Sequence, residues 1–138
     1  MSNFEKITIE AIVNKNSSDI WTLWTEAEHI TKWNQASDDW HSPRAENDMR
    51  VGGRFLTRME TKDGSMGFDF SGTYNEVIEH KKIRYTMDDG REVETLFNEE
   101  NGKTKILTTF DAEKENPLEM QRDGWQAILN SFKRYAEA

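Results

Sequence analysis

Apolar and polar residues alternate near the start of the chain, with the period of two that is typical of a half-buried strand. The apolar positions of this stretch are Ile7, Ile9, Ala11 and Val13. Two short helices are predicted to follow. The first can use Ser17 or Ser18 as its N-cap. Thr25 and Glu28 have the spacing of a capping box, which predicts a second helix that ends near Trp33.

Residues 34–47 are polar, include Trp40 and Pro43, and follow neither a helical nor a strand period, so we predict a long loop there. Downstream, Asp-Gly or Asn-Gly pairs at positions 63–64, 89–90 and 101–102 favour tight hairpin turns. They predict an antiparallel meander. Its alternation predicts one buried face, formed by Phe55, Met59, Phe68, Phe70, Gly72, Tyr74, Ile83, Tyr85, Met87, Val93, Phe97, Ile106 and Phe110.

A long helix is predicted at the end of the chain, with Asn116 as its N-cap and Pro117 at its first position. Its apolar residues recur at helical spacing and are Leu118, Trp125, Ile128, Leu129, Phe132 and Ala136. An apolar sheet face and an amphipathic helix bury each other, which predicts an α+β fold. The sheet should have six or seven strands. No linker or repeat divides the chain, so residues 1–138 are predicted to form a single domain.

Composition narrows the possible partners. Hydrophobic residues make up only 35% of the 138 residues, whereas charged residues make up 32% and aromatic residues 11%. The net charge of −8 disfavours nucleic acid and anionic membrane surfaces. The chain has no cysteine, and its amino terminus lacks the apolar run of a signal peptide. No stretch is long and apolar enough to span a membrane, so a soluble cytoplasmic protein is expected.

Four sets of residues, in this order and spacing, carry a resemblance to a known family. They are Ile20-Trp21 with Thr25 and Trp33; Asp48-Met49-Arg50-Val51-Gly52-Gly53-Arg54-Phe55; Gly72 with Tyr74 and Val77; and Gly124-Trp125 with Leu129. Together they resemble the AHSA1-like family, named for the activator of heat-shock protein 90 ATPase, in the START or SRPBCC (pollen-allergen-like) superfamily. The resemblance runs from about residue 6 to residue 135. It implies a helix-grip fold, in which a curved sheet and the long C-terminal helix enclose a cavity for apolar molecules.

Large inward residues near the middle of this sheet and helix are the candidates for contact with a ligand, although each one also has ordinary core packing as an alternative. The predicted ligand-binding residues are Phe55, Thr57, Met59, Phe68, Phe70, Tyr74, Tyr85, Thr95, Trp125, Leu129 and Phe132. The alternation of the strands also places five hydroxyl groups on the inner face. They belong to Thr57, Thr95, Thr108, Tyr74 and Tyr85. Each hydroxyl would bind either a ligand or a neighbouring protein group.

No catalytic constellation, metal-ligand cluster or cofactor motif is evident. The histidines are widely separated, and only His41 lies beside carboxylates, which gives the hypothesis of a metal or acid-base site with Asp39. The strand phases place no carboxylate on the inner face of the central meander.

Three functions therefore remain open. The first is a non-catalytic protein that binds a small apolar or aromatic molecule. The second is a cyclase- or hydrolase-type enzyme that uses the same cavity. The third is a module that contacts a chaperone, for which an exposed loop around Trp40 would be the contact.

Overall fold

Seven antiparallel strands and three helices make up residues 4–138, the part of the chain that the computed structural model describes. In chain order they are β1 (Lys6–Val13), α1 (Ser17–Thr25), α2 (Ala27–Trp33), β2 (Trp40–Asn47), β3 (Arg54–Thr61), β4 (Gly67–Ile78), β5 (Lys82–Met87), β6 (Glu92–Glu100), β7 (Lys103–Asp111) and α3 (Leu118–Glu137). The strand order in the single curled sheet is β1-β7-β6-β5-β4-β3-β2. Residues 1–3 lie outside the described residues. They belong to the amino terminus that lacks the apolar run of a signal peptide.

The predicted helix-grip fold is confirmed. Helix α3 packs on the apolar face of the sheet and is tied to β1 at two points. The Gln126 side chain donates to the carbonyl of Glu10 (3.1 Å), and Lys133 Nζ donates to that of Ile12 (2.6 Å). The core between them includes Phe110 and Phe132, each of which has 0% of its surface exposed. Burial of one such ring contributes about 1.5–3 kcal/mol.

The predicted positions of the two short helices are right, but both predicted N-caps are wrong. Asn16 caps α1, because its side-chain oxygen accepts the N–H of Asp19 at 2.8 Å. The N–H of Ser17 is instead bound by a carboxylate oxygen of Glu99 (2.7 Å). The hydroxyl of Thr25 donates backward to the carbonyl of Trp21 (2.7 Å), so it does not complete a capping box. Helix α2 begins after Glu26 without any side-chain cap.

The start of α3 also differs slightly from the prediction. The helix begins at Leu118, and Pro117 rather than Asn116 is its N-cap residue. Asn116 contributes through its carbonyl, which accepts a hydrogen bond from the Gln121 side chain (2.8 Å). Leu118 is 43% exposed and therefore does not belong to the buried stripe, whereas Leu129 and the other predicted positions are half-buried or buried.

The predicted loop at residues 34–47 is wrong in its second half, because residues 40–47 form the edge strand β2. Only β3 pairs with it, and the register shifts between His41 and Arg44. Pro43 lies in this irregularity, and edge strands and bulges are the places where a sheet tolerates proline. Trp40 is consequently half-buried and lies edge-on to Phe68 at 6.1 Å, rather than exposed on a loop.

None of the helices in residues 4–138 is long and apolar enough to cross a membrane.

Candidate functional site

A cavity of about 380 Å³ lies between α3 and the sheet. Its volume is within the range of about 300–1,000 Å³ that is usual for small-molecule sites. Most of its wall is apolar, and aromatic rings dominate. The apolar lining residues are Ile9, Trp24, Ile30, Trp33, Phe55, Met59, Phe68, Phe70, Ile83, Trp125, Ile128 and Leu129.

The antiparallel strand order gives the cavity two different ends. The start of β4, the β5–β6 turn, the end of β7 and the start of α3 lie together at one end. We call it the open end, and its lining residues are Phe68, Arg91, Asn116 and Gln121. The predicted burial of Phe68 is wrong, because this residue keeps 47% of its surface exposed at the open end. Helices α1 and α2 cover the other, closed end, which is lined by Trp24, Ile30 and Trp33.

The aromatic rings of the wall hold one another in place. Phe55 lies 4.7–5.6 Å, between ring centroids, from Phe70, Tyr74 and Tyr85. From the helix side, Trp125 stacks almost parallel on Phe110, with centroids 4.1 Å apart. Contacts of this kind contribute about 0.5–1.5 kcal/mol each beyond area burial. The rings of the wall therefore support one another through direct contacts.

Gly72 makes room for this arrangement. A Cβ atom at this position would lie 2.5 Å from the carbonyl oxygen of Thr86 and 2.9 Å from the ring of Phe55. Because Gly72 has no side chain, the Phe55 ring can lie against β4 at this position.

Some of the inward hydroxyls serve the fold. Tyr74 donates to the side-chain oxygen of Asn47 (2.5 Å), and the Asn47 amide donates to the carbonyl of Thr25 (2.5 Å). This chain of bonds joins β4, β2 and the end of α1. Thr95 and Thr108, which face each other across β6 and β7, share a hydrogen bond of 2.9 Å. For these residues the protein itself satisfies the polar group.

The hydroxyls of Thr57 and Tyr85 differ, because neither has a hydrogen-bond partner among the described residues. Every buried side-chain nitrogen or oxygen in residues 4–138 has a partner. The two unpaired hydroxyls must therefore keep accessible surface, and the cavity is where they have it. Burial, and secondarily Tyr74, raises the pKa of Tyr85, whereas Arg91 lowers it. The net shift is upward, so at neutral pH the Tyr85 hydroxyl is protonated and able to donate.

All but one of the predicted ligand-binding residues lie along the cavity wall. The exception is Phe132, which is fully buried beneath the closed end. Its ring centroid is 4.9 Å from that of Trp24 and 5.0 Å from that of Trp33. These two tryptophans stand between Phe132 and the cavity, so they line it instead. Contact between any of these residues and a ligand stays a prediction.

Sequence reasoning missed the charged residues of the cavity. Arg91 lies two positions before the inward Val93, so the period of two places it on the same face. It also follows directly after the Asp89-Gly90 turn, where a charged residue is usually solvated. Glu113 lines the cavity from the segment between β7 and α3, and its carboxylate accepts the N–H of Asn116 (2.7 Å).

His41 and Asp39, the pair of the hypothesised metal or acid-base site, each contact another residue in the structure. His41 lies 3.4 Å from a carboxylate oxygen of Glu60, measured from Nε2. Asp39 instead accepts a hydrogen bond from the hydroxyl of Ser37 (2.5 Å).

Comparison with known proteins gives one family and several structures. Residues 15–137 match the family model described as "Activator of Hsp90 ATPase homolog 1-like protein". The solution structure of the AHSA1-like protein from Aeromonas hydrophila is 45% identical, with a TM-score of 0.91 over 96% of this chain and 92% of that chain. A protein from Cytophaga hutchinsonii is 50% identical, with a TM-score of 0.84 over 96% and 92%.

A protein from Nitrosomonas europaea shares the fold at 19% identity, with a TM-score of 0.82 over 95% of this chain and 93% of that chain. No curated protein matches the sequence.

Proposed function

We propose that this chain, which belongs to the family of Activator of Hsp90 ATPase homolog 1-like proteins in the SRPBCC superfamily, binds one small, largely apolar molecule between α3 and the sheet. One observation carries the proposal. The cavity of about 380 Å³ is walled by aromatic rings, and the hydroxyls of Thr57 and Tyr85 face it without a protein partner. Small-molecule sites combine a mainly apolar wall with a few polar groups that orient the ligand.

Ordinary packing does not account for a space of this size. Protein interiors are close-packed, and voids larger than a water molecule are few. The rings around the space are held by one another and by Phe110, so a ligand can enter without a costly rearrangement of the wall. A bound apolar molecule would replace the missing contacts and would accept or donate hydrogen bonds at Thr57 and Tyr85.

Catalysis has less support from the residues around the cavity. The cyclase or hydrolase hypothesis combines cavity tyrosines with a buried carboxylate that is available for proton transfer. The carboxylate of Glu113 is engaged by the N–H of Asn116. Asp111 is buried, but it is bound by Lys6 (2.6 Å) and by the N–H of Glu92 (2.9 Å). Binding is therefore the function that this site supports best.

Titration with N-phenyl-1-naphthylamine, a neutral apolar dye that fluoresces when it leaves water, tests the proposal. We expect enhanced dye fluorescence together with a chemical-shift change at the Trp125 indole N–H. The variant Thr57→Phe fills the cavity and should weaken binding at least about tenfold, because the lost space costs contact with the dye. Thr8→Phe adds the same ring on the exposed outer face of β1 and should leave binding unchanged. Equal binding by both variants, or no shift at Trp125, would contradict the proposal.

A further inference from the structure

We infer that the natural ligand is an apolar carboxylic acid, whose carboxylate binds the guanidinium of Arg91 at the open end while its apolar body reaches toward the closed end. The inference rests on the proposed function, since it assigns the chemical class of the molecule in the same cavity.

Arg91 is held in place on one side only. Its Nε donates to one carboxylate oxygen of Asp89 (2.8 Å), and its backbone N–H donates to the other (3.1 Å). No other hydrogen bond to the guanidinium exists among the described residues. Arginine has five N–H donors, so the four on Nη1 and Nη2 remain without a protein partner.

These free donors are reachable from the cavity. The Arg91 side chain is only 17% exposed, and it lines the cavity. Because every buried polar side-chain atom of residues 4–138 has a partner, the unpaired Nη atoms must keep accessible surface. Two parallel N–H groups of a guanidinium match the two oxygens of a carboxylate, which makes bidentate binding possible.

Arg91 is the charged group that favours an anion at the open end of the cavity. Arg91 is the one cationic residue in the described cavity lining. The carboxylate of Glu113 is negatively charged and opposes an anion close to it, and one of its oxygens accepts the N–H of Asn116. The side-chain amide of Gln121 is likewise engaged, since it donates to the carbonyls of Glu113 (3.0 Å) and Asn116 (2.8 Å).

Tyr85 adds a neutral donor on the same side of the cavity. Its hydroxyl is free of protein partners, and Arg91 is close enough to influence its ionisation. A protonated phenol and a guanidinium both donate hydrogen bonds, and a carboxylate only accepts them. The apolar remainder of the ligand would then lie along Phe55 and Trp125 toward Trp24. The two ends of the cavity therefore match the two ends of an amphipathic acid.

The test is displacement of N-phenyl-1-naphthylamine by decanoate and by 1-decanol, which differ only in the head group, at neutral pH. Wild-type protein should bind decanoate about tenfold to a hundredfold more tightly than decanol, the range expected for hydrogen bonds to a charged group. Arg91→Gln should remove most of this preference, so that decanoate and decanol displace the dye with similar affinities. Arg91→Lys keeps the positive charge but loses the two parallel N–H groups of the guanidinium. Its preference for decanoate over decanol should therefore be intermediate.

Arg50→Gln is the matched control, because Arg50 is 77% exposed, does not line the cavity and also pairs with an aspartate two residues away. It should leave every affinity unchanged. Equal affinity for decanoate and decanol, or a preference that survives in Arg91→Gln, would overturn the carboxylate inference even though the dye binds. If the dye itself does not bind wild-type protein, the proposed function fails first, so the two failures are distinguishable.

Discussion

Removal of the hydroxyl group from Tyr74 and removal of the hydroxyl group from Tyr85 should have different consequences for the stability of the protein. In Tyr74→Phe the hydrogen bond to Asn47 is lost, and the Asn47 oxygen is left without its partner. A lost hydrogen bond costs about 0.5–1.5 kcal/mol, and an unsatisfied buried group costs about 1–3 kcal/mol. Since Asn47 is only half-buried, water recovers part of the second cost. We therefore expect a decrease of about 1–2 kcal/mol in the free energy of unfolding.

Tyr85→Phe deletes the same atom but breaks no bond within the described residues. Its free energy of unfolding should stay within about 0.5 kcal/mol of the wild-type value. Urea denaturation followed by tryptophan fluorescence measures both variants, and an unchanged m-value would show that the unfolded states are comparable. If Tyr85→Phe destabilises the protein as much as Tyr74→Phe, the assignment of a free hydroxyl to Tyr85 is refuted.

The two tyrosines should also make the free energy of unfolding depend on pH. Burial is the main cause that raises the pKa of both tyrosines above the ordinary value of about 10. The unfolded state therefore loses these protons first as the pH rises. The contribution of the two protonated tyrosines to the free energy of unfolding is fully present below pH 10 and decreases as the pH rises above 10. Urea denaturation between pH 9 and pH 11 should show a smaller decrease for Tyr85→Phe than for wild-type protein.

Three further predictions concern the framework of the site. Gly72→Ala should decrease the free energy of unfolding by about 1–3 kcal/mol, because the added methyl group collides with the carbonyl oxygen of Thr86 and with the Phe55 ring. Thermal unfolding checks this, and an unchanged melting temperature would contradict it. Phe132→Ala should cost about 3–5 kcal/mol in urea denaturation, since it opens a void beneath the closed end; a cost below that of Tyr74→Phe would argue against its place in the core. Hydrogen bonds, first from Arg54 and then from Ser71, lower the pKa of Asp88 to about 2. The stabilising contribution of the Asp88 carboxylate should be present above about pH 4 and be lost as the pH falls toward 2. An NMR titration of its carboxyl carbon with a midpoint near 4 would contradict the hydrogen bonds from Arg54 and Ser71.

The meander was predictable because its two faces meet different surroundings. In β3 and in β5 to β7 the residues of one face are more buried than those of the other, so the period of two is visible in the sequence. In β4 only Gly72 and Tyr74 are buried. The edge strand β2 lacks this signal, because Ser42 is the one residue of the strand that is fully buried. Pro43 added a second misleading sign, since proline marks a loop more often than a bulge.

Helix boundaries depended on contacts between residues far apart in the sequence. Ser17, Asn16 and Asn116 are all acceptable caps by residue type. What decides between them is the surrounding structure, for example Glu99, which binds the N–H of Ser17 across 82 positions. Local sequence patterns cannot predict a partner that is so far away in the chain.

For the cavity, strand phase identified the inward residues but not which of them are free. Tyr74 and Tyr85 are equivalent in the sequence, and they differ only because Tyr74 meets Asn47, on a segment predicted to be a loop. Arg91 had the correct phase, but a charged residue beside a turn is usually solvated. Its partial burial follows from the sheet curling under α3, which only the fold reveals.

An isotope-filtered NOE experiment on the complex with N-phenyl-1-naphthylamine is the most decisive measurement. Binding between helix and sheet predicts intermolecular NOEs from the dye both to Phe55, on the sheet, and to Trp125, on α3. NOEs confined to exposed apolar side chains such as Met66 and Met120, or no intermolecular NOEs at saturating dye, would contradict a ligand-binding cavity.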